Sequence, residues 1–151
     1  MQRTMKLLQE PAFTFDALIV LLYHKFIFDE MASDTGNAKT GPLQEVIQEE
    51  RGKNYVGLSP EKQVEQISGF TVKLWRACSF QQGRTITTAV FVEKYLSSIG
   101  FEPDDSLFKE GTVSFQDALV KASGADDQVG GGADDRDLKV FFSQWLFGKF
   151  D

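Results

Sequence analysis

The chain has 151 residues, 42% of them hydrophobic and 14 of them Phe, with a formal net charge of −6. That length suits a single domain, residues 1–151 with a core over about 15–148, which can bury roughly two-thirds of its unfolded surface. The acidic balance argues against nucleic acid and against an anionic membrane surface as partners, since both require a basic face. The single Cys excludes an internal disulfide and fits a reducing compartment, so the chain reads as cytoplasmic.

In chain order, Pro11, Glu10 and Asp16 interrupt any apolar run of the signal-peptide kind. Thr14 is placed to cap a helix in which Phe15, Leu18, Ile19, Leu22, Phe26 and Met31 recur at helical spacing. Its Leu18–Phe28 stretch is too short to span a bilayer and contains His24 and Lys25. After a turn-rich link from Ser33 to Gly41, Pro42 suits the first position of a helix with Leu43, Val46 and Ile47 on one face and Gly52 at its end. Lys53 to Leu58 reads as a short extended segment.

Ser59-Pro60 supplies a cap and a first helical residue, and Val64, Ile67, Phe70, Leu74 and Cys78 follow at three- or four-residue spacing. A short glycine-containing loop then leads into another helix, capped by Thr85 or Thr87 and ending at Gly100. Pro103-Asp104-Asp105 starts a short helical turn, and Ser114 caps a helix from Phe115 to Ser123. Gly124 to Asp135, with four Gly and several Asp, reads as a mobile loop. Asp134, Asp135 and Asp137 fall in the first turn of the last helix, where negative charge suits the dipole. The pattern is all-α, with room for one small β-hairpin.

The loop between the two central helices carries the chemistry. Backbone N–H groups around Gly83, Arg84 and Thr85, at a helix start, form a natural anion cradle. Cys78 reads first as a small core residue and second as a nucleophile. His24, flanked by Phe26, Ile27 and Phe28, reads as a packed histidine and is the only candidate general base of its kind. The Asp-rich loop lacks the calcium-loop spacing, and no metal site is expected.

Ala77 to Thr88 resembles the signature loop of the Fic (filamentation induced by cyclic AMP) family, whose pattern is H-x-F-x-[DE]-G-N-x-R. Phe80 and Gly83 match, whereas Cys78 stands at the catalytic His, Gln82 at the magnesium-binding acid, Arg84 at the Asn and Ile86 at the phosphate-binding Arg. Leu22–Glu30, Thr87–Leu96 with Gly100-Phe101, Phe115–Ser123 and Phe141–Gly148 are similar to helices of that family. Ser106–Gly111 matches the family's autoinhibitory pattern [ST]-x-x-x-E-[GN], but between core helices, where coincidence is the simpler reading.

The resemblance implies a Fic-like helical bundle in which the Lys53–Leu58 region forms a flap, with Asn54, Tyr55, Val56 and Gly57 as the partner-binding residues. Family members transfer AMP from ATP to target hydroxyls. A positioned general base contributes about 10² to 10⁴ in rate, and a charge-assisted phosphate contact roughly another 1.5–3 kcal/mol. With both gone, and with no carboxylate to hold magnesium on the phosphates, AMP transfer is not expected. The resemblance then implies a pseudoenzyme of bacterial or phage type that binds a protein partner through the flap or cleft. No cofactor is required, and residual ATP affinity would rest on Phe80, Gln82, Gly83, Arg84 and Thr85. The alternative is an active adenylyltransferase or phosphotransferase with a rewired loop using Cys78 and Arg84.

Overall fold

The structure, a computed structural model, describes residues 6, 8, 15–16, 19–20, 22–24, 41–78, 84–101, 113–123 and 135–147. Five helices are bounded within them: α1 (Gly41–Arg51), α2 (Pro60–Ala77), α3 (Arg84–Ser98), α4 (Val113–Ser123) and α5 (Arg136–Phe147). The fold is all-α, and no strand is present among the described residues.

The central element is α2, which packs against each of the other four helices, while α4 and α5 also pair with each other. Its start is written locally: the Ser59 side chain accepts from the Lys62 amide at 3.3 Å, and Pro60 occupies the first turn, where its missing N–H costs nothing. It buries Val64, Ile67, Phe70 and Leu74, which the helical spacing predicts, and also Trp75, which it does not. At the other end Cys78 leaves the helix, and its amide still donates to the Leu74 carbonyl at 3.1 Å.

Burial on α3 runs unbroken from Thr87 to Leu96, through Phe91 and the charged pair Glu93 and Lys94. A helix covered on all sides belongs to the interior. Phe15 stacks on Tyr95 with ring centroids 4.3 Å apart and lies 5.7 Å from Phe91. Phe70 of α2 meets Tyr95 edge-on at 5.4 Å, so the aromatic side chains seal the seam between the two inner helices. Gly100, with φ at +105°, ends this element in a conformation that favours glycine.

Three boundaries differ from those read in the sequence. Helix α3 starts at Arg84, so Thr85 and Thr87 lie inside it and are buried, and neither is its cap. Their hydroxyls face the interior, where Thr85 is held by Trp75. Helix α4 begins at Val113, one residue before the expected Ser114 cap. Residues 53–58 form no extended segment. The Val56 amide donates to Asn54 Oδ1 at 2.9 Å, and the Leu58 amide to the Tyr55 carbonyl at 3.3 Å. Gly57, at φ +85°, supplies the left-handed corner of that turn. Among the described residues the segment pairs with no strand, and the Val56 and Leu58 amides are used within the turn. Asp137 does lie in the first turn of α5, and Asp135 immediately precedes it. The expected Phe15–Met31 helix, the 103–105 turn and the 124–135 loop lie wholly or largely outside the described residues.

Candidate functional site

The signature-like loop leaves α2 at Cys78 and enters α3 at Arg84; residues 79–83, including Phe80, Gln82 and Gly83, lie outside the described residues. On the α2 side, Cys78 Sγ is buried and lies 3.8 Å from Thr88 Oγ1. Burial pushes the thiol pKa up to about 12, against the smaller opposing effects of the Thr88 hydroxyl and the Arg84 charge. A thiol in that state is a core side chain at neutral pH, with a negligible thiolate fraction.

On the α3 side, the Arg84 guanidinium sits 3.8 Å above the centroid of the Trp75 ring. The same indole donates from Nε1 to Thr85 Oγ1 at 3.2 Å, and the Thr85 hydroxyl donates in turn to Gln116 Oε1 at 3.4 Å. Trp75 therefore engages two consecutive residues of the helix start: its face takes the cation and its edge takes the hydroxyl. The cluster ties α2, α3 and α4 together around the loop. Arg84 is partly exposed. His24 is buried and has interactions of its own.

The turn at residues 54–57 separates its four candidates. Val56 is 86% exposed at the tip, with Asn54 and Gly57 beside it on the surface. Tyr55 points the other way and is buried. Its hydroxyl donates to Glu50 Oε2, and the Tyr95 hydroxyl donates to the same oxygen at 2.9 Å. The Tyr55 ring meets Phe101 edge-on at 6.1 Å, and Gln63 Nε2 donates to the Tyr55 carbonyl at 3.0 Å. Tyr55 is thus an anchor for the turn, and Asn54, Val56 and Gly57 are its exposed residues.

Glu50 was not legible as part of any site. It lies in the charged run Gln48-Glu49-Glu50-Arg51, which reads as a solvated helix end, yet it is only 2% exposed. Burial raises its pKa, while the two phenol hydroxyls and Lys53, whose Nζ lies 3.7 Å from Oε1, work in the opposite direction. Oε1 has no hydrogen-bond partner among the described residues. Both phenols are held well above their ordinary range, first by burial, so they remain donors at neutral pH.

Among the described residues no group of three or more His, Cys, Asp or Glu is arranged to hold a metal ion, and no helix is long and apolar enough to cross a membrane. No family model matches the chain, and neither a curated protein nor a solved structure matches it.

Proposed function

We propose that this chain is a Fic-like scaffold that works by binding a protein partner and not by transferring AMP. The observation that carries the reading is the state of Cys78. The residue at the position of the family's general base is a buried thiol whose pKa is pushed up to about 12. It cannot take a proton from a target hydroxyl, and Gln82 offers no carboxylate for magnesium. The missing carboxylate also makes the residues present a poor fit for the family's metal-bridged nucleotide.

The partner surface in this proposal is the turn of Asn54, Val56 and Gly57. An 86% exposed Val at the tip of an anchored turn supplies an apolar contact on a fixed support. The turn uses two of its own amides, so side-chain contact fits better than the addition of a partner strand. Residual nucleotide affinity belongs to the same proposal and rests on the partly exposed Arg84 with the backbone at the start of α3. The acidic balance and lone Cys support a cytoplasmic setting.

Calorimetric titration with ATP, with and without magnesium, combined with a labelled-AMP transfer assay, tests the reading. We expect no transfer, and any ATP heat should weaken in Arg84→Ala. Transfer of label that is lost in Cys78→Ala would replace this proposal with the rewired enzyme.

A further inference from the structure

We propose that the groove between α4 and α5 docks an arginine-centred apolar segment of a partner protein. None of its lining residues belongs to the loop or the turn, so this inference stands apart from the reading above.

The groove has a volume of about 320 Å³ and is lined by Asp117 and Ala118 of α4 with Asp137, Val140, Phe141 and Gln144 of α5. The α5 residues fall at i, i+3, i+4 and i+7, which puts them on one face of the helix. On that face Val140 is 55% exposed. Phe141 is half-buried and held in place from beneath, with ring centroids 5.0 Å from Phe115, 5.5 Å from Phe142 and 5.6 Å from Trp145. The floor is therefore a fixed aromatic and aliphatic surface.

Charge selects the occupant. Asp137 is paired with Lys121 at 2.9 Å, an ion pair in which both side chains are more than half exposed. Such a pair is worth little and exchanges readily. Asp117 is exposed and has no cation partner among the described residues. The chain carries a net −6. Two carboxylates beside an aromatic ring favour a guanidinium over an ammonium. The guanidinium is planar and weakly hydrated, stacks on a ring, and bonds a carboxylate through two N–H groups. Flanking apolar residues of the partner would cover Val140, and the Gln144 amide can meet its backbone. The volume sits at the small end of the ~300–1,000 Å³ range of ligand sites, which suits one anchoring side chain and its neighbours.

The test uses amide chemical shifts of the full chain titrated with the peptide acetyl-Leu-Arg-Leu-amide and with its citrulline counterpart, which is isosteric and uncharged. The expected result is a set of shifts concentrated at residues 117–118 and 137–144. Binding should weaken with added salt, and about tenfold or more when citrulline replaces arginine. Asp117→Asn and Val140→Thr should each weaken it, with the amide spectrum reporting that both variants remain folded. The double variant Glu61→Gln/Glu65→Gln, on the exposed side of α2, should leave it unchanged. Equal response to the citrulline peptide, shifts spread over the acidic surface, or undiminished binding by Asp117→Asn would each overturn the proposal.

Discussion

Tyr95 donates its hydroxyl to Glu50 at 2.9 Å across 45 positions of sequence, and the bond ties the last turn of α3 to the end of α1. Because Tyr55 donates to the same carboxylate oxygen, the turn bearing Val56 is fastened to the interior at that point.

This arrangement makes stability depend on pH. Burial raises the Glu50 pKa in the folded chain above its unfolded value, so the folded state holds that proton more tightly. The resulting contribution is complete below the unfolded carboxylate range of about 4.3 and is lost as pH rises through the folded pKa. The urea midpoint of the parent should therefore fall relative to that of Glu50→Gln as pH rises from about 4.3. Parallel curves would show that Glu50 reaches water in the folded chain, and a gap that opens the other way that the phenols and Lys53 outweigh its burial.

Removing either phenol hydroxyl exposes the sharing of Glu50. Tyr95→Phe should cost about 1–3 kcal/mol, because a buried carboxyl oxygen loses a donor. Tyr55→Phe should fall in the same range. The double variant should not equal the sum of the two, since both donors serve one oxygen. Strict additivity in a double-mutant cycle would contradict the shared acceptor.

Cys78 should be chemically silent in the folded protein. With its thiol pKa pushed up to about 12 and its side chain buried, alkylation by iodoacetamide near pH 8 should proceed only through unfolding. The rate should rise sharply in urea. Rapid alkylation of the native chain would contradict the buried thiol and reopen the nucleophile reading.

Arg84 contributes to the fold through Trp75. Truncation to Ala should cost about 0.5–1 kcal/mol, the scale of a partly exposed cation–π contact. Arg84→Lys should recover only part of that, because an ammonium does not stack. Denaturant midpoints of the two variants measure the difference; identical midpoints for parent and Arg84→Ala would leave the stacking without energetic weight.

Local rules account for much of the fold. Ser59-Pro60 starts α2 as its chemistry dictates, and the spacing of Val64, Ile67, Phe70 and Leu74 marks the face that α2 buries. Gly100 ends α3 where glycine was expected to end it. These features depend on residues within one or two helical turns of each other, so a linear reading finds them. The candidate site was less legible. Arg84 and Cys78 stood out in the loop, but nothing in their vicinity indicated that Trp75 would take the guanidinium face or that the thiol would be sealed against Thr88.

Composition, helical periodicity and turn chemistry by themselves determined an all-α chain with α2 and α3 on either side of a short polar loop. Only the tertiary structure decided that Glu50, written in a charged run, is interior, that Tyr55 faces inward from a surface turn, and that Thr85 bonds an indole where a cap was expected. Burial and pKa depend on which distant residues close over a group. The contacts that define Glu50 come from residues 5 and 45 positions away on separate elements, and helical spacing carries no information about them.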